Sequence, residues 1–144
     1  MSPMTRAALL ILSALALNAC GMTPYVIPEG APTARINLNA AGQRAWICAA
    51  DGEGHTLTPD AEGYASIAAG ERVVVGSSFY SQGYNVSYSC YPRVNFVPEA
   101  GGSYYQNFEI EAERCGVFIY REGADNPAGL AIEPSLRPGG ACAK

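Results

Sequence analysis

His55 is the only histidine of the chain, and it lies among acids in DGEGHTLTPDAE, residues 51–62. Counted from Asp51, an acid or the histidine occupies positions 1, 3, 5 and 12, as ligands do in a calcium-binding EF-hand loop. The glycine lies at position 4, whereas that loop needs it at position 6, and no helical pattern flanks the segment. The pattern therefore favours a solvated hairpin loop, and we expect no metal and no cofactor.

The sequence does not indicate a catalytic centre. A Ser-His-Asp arrangement would have to use His55, and no serine lies in a G-x-S-x-G motif. Paired carboxylates can meet in any fold, but no acid lies in an apolar segment that would favour its protonated form. We therefore expect a protein that is not an enzyme, with paired-carboxylate hydrolysis as the open alternative.

Cysteine is the other residue that carries chemistry. Four of the five cysteines lie beyond residue 40, and an even number in an exported domain indicates two disulfides. Zinc is the rival, but no two cysteines have the C-x-x-C spacing and the chain has one histidine. Four cysteines allow three connectivities. The residues concerned are Cys48, Cys90, Cys115 and Cys142.

The nine tyrosines offer rings on which sugars could stack. Three of them fall on the less apolar faces of their segments and are the candidate ligand-binding residues: Tyr80, Tyr91 and Tyr105. Asn85, Asn95 and Gln106 could bind sugar hydroxyls beside them. Tyrosine is also a good strand former, so a purely structural role is the stronger interpretation.

Charge narrows the class of partner. The chain has nine Lys and Arg against 13 Asp and Glu, and its one lysine is the last residue, so nucleic acid is not an expected partner. Glu109, Glu111 and Glu113 alternate along one segment and form an acidic stripe. This stripe is either a solvated face or a docking site for a basic partner.

Residues 1–19 have the pattern of an export signal. Arg6 is followed by an apolar run from Ala7 to Leu17 that is interrupted only by Ser13. A helix that spans a bilayer needs about 20 apolar residues, so this run is too short to remain as an anchor.

The next residues, Leu17, Asn18, Ala19 and Cys20, resemble the lipobox of bacterial lipoproteins. The resemblance implies that Cys20 becomes the mature N-terminus, with a diacylglycerol on its sulfur and a further acyl chain, such as palmitate, on its amine. Two or three chains hold a protein on a membrane effectively permanently. Gly21 stands where the family's inner-membrane retention signal has Asp, which favours the outer membrane. We expect a periplasm-facing protein, with exposure at the cell surface as the alternative, whose partner is an envelope protein or peptidoglycan.

Residues 20–33 form the expected linker. Pro24, Pro28 and Pro32 recur at every fourth position, which favours an extended, semi-rigid spacer that holds the domain away from the lipid headgroups.

Residues 34–144 alternate with period two between turn residues, which predicts a small antiparallel β-sandwich of seven to eight strands. In YNVSYSC the pattern places Tyr84, Val86, Tyr88 and Cys90 on one side. In SYYQNFEIEAE it places Tyr104, Phe108 and Ile110 inward. Cys90 and Cys115 then both fall on apolar sides, which favours the pairs Cys90 with Cys115 and Cys48 with Cys142.

The segment FVPEAGGSYY, a following strand and Cys115 are similar to small transthyretin-like or immunoglobulin-like sandwich domains of bacterial lipoproteins. The resemblance covers residues 90–121 and implies a fold class but no activity. Trp46 precedes the first of the four cysteines, unlike the tryptophan of antibody domains.

Overall fold

The computed structural model describes residues 21–142, and these contain eleven β-strands and no helix. None of these residues forms a helix long and apolar enough to cross a membrane. The strands are β1 (Thr33–Ala40), β2 (Arg44–Cys48), β3 (Gly54–Thr56), β4 (Tyr64–Ala68), β5 (Val73–Gly83), β6 (Val86–Cys90), β7 (Arg93–Phe96), β8 (Ser103–Glu111), β9 (Arg114–Glu122), β10 (Leu130–Ile132) and β11 (Arg137–Pro138).

The strands form two sheets that face each other across one core. The first sheet has the order β10-β9-β8-β1-β4, and the second has the order β11-β7-β5-β2-β3, with β6 paired to β5. The expected sandwich is therefore confirmed. Eight strands have four or more residues, and the three shorter ones raise the total above the expected seven to eight. One pairing departs from the antiparallel pattern, because β1 and β8 run parallel.

Alternation of apolar and polar residues explains most of the core. Ile36 of β1 and Ile67 of β4 are fully buried and face Phe96 of β7 and Val75 of β5 across the sandwich. The β2 strand differs, because Ala45, Trp46 and Ile47 are all buried and the strand is covered on both faces. The Trp46 ring lies over its cross-strand partner Gly76, where a Cβ would come within 2.4 Å of the indole. A glycine at this position lets the indole pack directly on the backbone of β5.

Residues 23–25 of the expected linker lie against the sandwich, and the role of the linker as a spacer stays a prediction. Pro24 forms a parallel bridge with Thr56 of β3. Thr56 N–H donates to the Thr23 carbonyl, and Tyr25 N–H donates to the Thr56 carbonyl, both at 2.9 Å. The Tyr25 ring packs on the core. The segment therefore adds a short strand at the free edge of β3.

Two hairpins extend beyond the sandwich at one end. In β5, Ser78 is the last residue paired with β2, and residues 79–83 pair with β6. In β8, Asn107 is the last residue paired with β1, and residues 108–111 pair with β9. We call residues 79–90 together with residues 108–117 the arm. The opposite end, formed by residues 21–25, the β2–β3 hairpin and Cys142, is called the base.

The arm corrects two expectations about side chains. Tyr84 lies in the turn between β5 and β6 and is 95 % exposed, and Val86 beside it is 66 % exposed. Ile110 is 47 % exposed and faces the β5–β6 hairpin only in part. The alternation is correct, but no layer of the sandwich covers these positions, because the arm extends past the other strands.

Candidate functional site

His55 lies in a hydrogen-bonded chain at the base. Its Nδ1 atom is 2.8 Å from Thr23 Oγ1, and its Nε2 atom is 2.7 Å from Asp51 Oδ2. The other Asp51 oxygen accepts the backbone N–H of Glu53. That hydrogen bond, followed by the one from His55, holds the pKa of Asp51 below its usual range. Because Thr23 belongs to the segment paired with β3, these side chains fasten the N-terminal segment to the hairpin.

The same loop could offer ligands to a metal. Asp51, Glu53 and His55 each present one ligand atom, and these atoms lie within 4.8 Å of one another. Carboxylate and imidazole are ligands of zinc and of other divalent metals. Both ring nitrogens of His55 already have protein partners, so a metal would have to displace Asp51 from Nε2 or Thr23 from Nδ1. The expectation that the chain holds no metal stays a prediction.

The four cysteines of the described residues form two disulfides, in the pairs that the strand faces favour. Cys48 is bonded to Cys142 at the base, where the Cα atoms are 5.1 Å apart. Cys90 is bonded to Cys115 in the arm and links its two hairpins, with a Cα separation of 6.4 Å. Cys20, the predicted lipidation site, and the signal-like residues before it lie outside the described residues.

The three candidate tyrosines do not form one platform. Tyr80 and Tyr91 are 52 % and 64 % exposed; Tyr80 lies on β5, and Tyr91 directly follows β6. Tyr105 lies in β8 of the other sheet and is half-buried. The proposed hydroxyl partners are also dispersed. Asn85 lies in the arm's turn, Asn95 binds Arg72 and Gly139, and Gln106 is fully buried against Gly76 and Ser77.

A row of tyrosines on the first sheet was missed by the sequence reasoning. The strand register places Tyr64, Asn37, Tyr105 and Tyr120 side by side across β4, β1, β8 and β9. The Tyr64 hydroxyl donates to both Glu122 oxygens, at 3.0 and 2.9 Å. Each strand shows alternation by itself, but no local signal in the sequence tells which strands are neighbours, so the row could not be found.

The acidic stripe lies on the arm. Glu109 and Glu111 are exposed on β8, and Glu113 is exposed in the turn that leads to β9. Ala112 and Glu113 have φ angles of 46° and 66°, an unusual pair for a two-residue turn without glycine. The Glu113 carbonyl accepts the hydroxyl of Tyr88 at 3.2 Å. The acidic tip of one hairpin is therefore held against the uncharged hairpin beside it.

An ion cluster around the buried Glu133 stabilises the body of the sandwich near the base. The Arg121 guanidinium donates to Glu133 at 2.5 Å and to Glu99 at 2.7 Å. Burial alone would raise the pKa of Glu133, but hydrogen bonds from Arg121 and Ser135 together hold it below the usual range. The Glu133 and Glu99 carboxylates accept hydrogen bonds from Arg121 and Ser135 of the same cluster, which indicates a structural role for these side chains. The sequence offered no signal for it, because β10 and the loop after it bring Glu133 beside β9 only in the folded chain.

No known protein-family model matches this chain, and no curated protein or solved structure shows significant similarity to it. The resemblance to transthyretin-like or immunoglobulin-like domains stays a prediction. The described residues therefore offer three surfaces for function: the base with its hydrogen-bonded histidine, the tyrosine row of the first sheet, and the arm.

Proposed function

We propose that this chain is a lipid-anchored protein of the bacterial outer membrane that faces the periplasm and works, without catalysis, by binding another envelope component. The observation that carries the anchor is the use of cysteines. The two disulfides occupy all four cysteines between residues 21 and 142, so none of them remains to pair with Cys20. Leu17–Cys20 has the lipobox order, and disulfides fit an oxidising compartment such as the periplasm.

The docked N-terminal segment supports a short attachment. Cys20 directly precedes Gly21 and lies only three residues before Thr23, where the pairing with β3 begins, and consecutive Cα atoms are about 3.8 Å apart. A lipid on Cys20 would bring the base close to the membrane surface. The arm would then stand away from it, because Val74 and Gly83 of β5 are nine residues apart, which is roughly 30 Å of strand.

Replacing Cys20 tests the anchor. Cys20→Ala should move the protein from the membrane fraction to the soluble fraction, and mass spectrometry of the wild-type N-terminal peptide should show two or three acyl chains on Cys20. Met22→Ala changes a nearby side chain outside the box and should leave the fractionation unchanged. Unchanged fractionation of Cys20→Ala would refute lipidation.

The orientation has a separate test. In nanodiscs with gadolinium-chelating headgroups, amide signals of residues 51–55 should broaden far more than that of Asn85, because paramagnetic broadening falls steeply with distance. Nanodiscs without gadolinium serve as the control. Equal broadening at Glu53 and Asn85 in a membrane-bound protein would reject this orientation while leaving the anchor intact.

A second candidate function is binding of peptidoglycan or another glycan. The supporting observation is the row of Tyr64, Tyr105 and Tyr120, where aromatic rings share one sheet face with Asn37 and Arg35. Purified sacculi should retain the protein, and replacement of these three tyrosines by alanine should abolish retention. The pair Tyr80→Ala and Tyr91→Ala is the matched control for the other surface. Failure of sacculi to retain the wild type would exclude this function.

A further inference from the structure

The β5–β6 hairpin has an unprotected strand edge. Among the described residues β6 pairs only with β5, so its other edge faces solvent. Tyr80 N–H donates to the Gln43 side chain, which lies on the β2 side and thus away from β6. Two residues opposite each other in an antiparallel pair either both direct their N–H groups toward the partner strand or both direct them away from it. Ser89, the partner of Tyr80, therefore directs its N–H to the free edge, and Ser87 does the same by alternation.

Residues 77–91 carry none of the side chains that usually blunt such an edge, and Pro92 follows directly after them. Exposed edges are normally protected against pairing with other chains by charged side chains, prolines or bulges. Residues 77–91 contain no charged residue and no proline, and β5 and β6 pair without a bulge. Serines alternate along β6, and the hairpin ends in the fully exposed Tyr84. Such an edge is unusual for a protein that only has to remain soluble, and it is typical of a strand that receives another strand.

The arm holds this edge rigidly enough to bind. An isolated two-stranded hairpin is only marginally stable in water. Here the Cys90–Cys115 disulfide fixes the hairpin to β9, and the Phe79 ring packs on Phe108 at 5.4 Å and on Tyr88 at 6.0 Å. The edge is therefore preorganised, so a partner would not have to order it on binding.

The charges and apolar groups around the edge define the partner. Glu109 and Glu111 are exposed on β8 of the arm, Glu113 is exposed in the turn held against Tyr88 of β6, and Arg114 is the one basic residue among positions 77–92 and 108–117. This negative field would repel a second copy of the chain and attract a basic segment. Val86 and Ile110 are aliphatic and exposed, and such side chains gain by contact with apolar side chains of a protein partner.

We propose that the free edge of β6 binds an extended segment of another protein, rich in Lys or Arg and in apolar side chains, by strand addition. The inference deepens the proposal that the domain works by binding, and it does not depend on the lipid anchor. Main-chain hydrogen bonds from Ser87 and Ser89 would supply affinity, while the glutamates and the apolar groups of the arm would supply selectivity.

Photo-crosslinking in cells tests the site. A benzophenone amino acid in place of Tyr84 should form an adduct with a protein, joined through a peptide that contains Lys or Arg. The same probe in place of Ile132, which is 56 % exposed on β10 of the other sheet, is the positional control and should not form it. An adduct with a second copy, with glycan strands or with lipid would overturn the proposal. So would the absence of any adduct from Tyr84, or an equal adduct from Ile132.

Edge variants test the mode of binding. Ser89→Pro removes the outward N–H and should lower the yield of the adduct about tenfold, the effect of losing roughly 1.4 kcal/mol. Ser66→Pro is the matched control on the edge strand β4. The Ala68 N–H donates to the Tyr25 hydroxyl and so points away from β1. By alternation the Ser66 N–H, two residues earlier, also points outward from this edge. Equal loss in both variants would mean a general disturbance of the fold and would reject strand addition.

Charge variants at the same residue keep the test decisive if Ser89→Pro fails to fold. Ser89→Lys should reduce the adduct severalfold, and Ser89→Glu should preserve or increase it, because the partner is basic. Both variants should keep the wild-type melting temperature, since Ser89 is exposed. Equal effects of Lys and Glu, or an increase with Lys, would contradict the proposed chemistry of the partner.

Discussion

The base and the arm of this sandwich are stabilised in different ways. The base contains a docked N-terminal segment, a disulfide that joins residues 94 positions apart, and, nearby, an ion cluster around the buried Glu133. The arm consists of two overhanging hairpins, and its disulfide joins residues only 25 positions apart. The base is therefore tied by contacts that are distant in sequence, and the arm by local pairing with one covalent link. An end fixed in this way suits attachment, and an end with an open edge suits binding.

Removal of the base disulfide should have the largest effect on stability. In the chain-entropy model a cross-link over 94 residues stabilises by about 4.7 kcal/mol. The double substitution Cys48→Ala and Cys142→Ala should lower the free energy of unfolding by about this amount in urea denaturation. It should also increase amide exchange in residues 137–142, which the bond ties to β2. A loss smaller than that of the arm disulfide would contradict the comparison.

Removal of the arm disulfide should cost less and act locally. The same model gives about 3.5 kcal/mol for a separation of 25 residues. Cys90→Ala with Cys115→Ala should speed amide exchange in residues 79–90 and leave the exchange of Ile36 and Ile67 in the core close to the global limit. Uniformly faster exchange would show that the arm is an integral part of the sandwich.

Glu133→Gln tests the ion cluster near the base and should lower stability by about 2 kcal/mol at pH 7, since Arg121 would lose its charged partner. Glu99→Gln is the matched control, because the Glu99 side chain is 65 % exposed, and it should cost under about 1 kcal/mol.

The same cluster predicts a pH dependence. The pKa of Glu133 is lowered in the folded protein, so its stabilisation is fully present above the unfolded value of about 4.3 and is lost as the pH falls below it. The urea midpoint of the wild type should therefore fall more steeply from pH 5 to pH 3 than that of Glu133→Gln. Parallel curves would show that other carboxylates determine the acid sensitivity.

Tyr84→Ser should have the smallest effect on stability, within about 0.5 kcal/mol, because the side chain is 95 % exposed at the turn. Thermal unfolding should give nearly the same melting temperature as the wild type. A much larger loss would mean that Tyr84 packs on the arm and is not available to a partner.

Sequence patterning predicted the strand pairing within the arm better than the position of the N-terminal segment at the base. The strands around Cys90 and Cys115 alternate clearly, and a short connection makes them neighbours within each hairpin, so faces and pairing follow from local rules. At the base, proline spacing suggested an extended spacer. The segment is extended, but β3 offers a free edge beside it, and the hydrogen bonds of Thr23 and Tyr25 with Thr56 bind it there.

The sequence by itself determined the β class, the presence of two disulfides and the residues that share a face within each strand. Alternation and cysteine count are local or countable properties, and they do not depend on how strands are arranged. Only the tertiary structure decided that β1 runs parallel to β8, that Tyr64 and Tyr120 flank the strands of Asn37 and Tyr105, and that Gln106 is buried. Strand order depends on the packing of the whole core. The alternation of side chains along each strand has a period of two whatever the order, so it carries no information on which strands are neighbours.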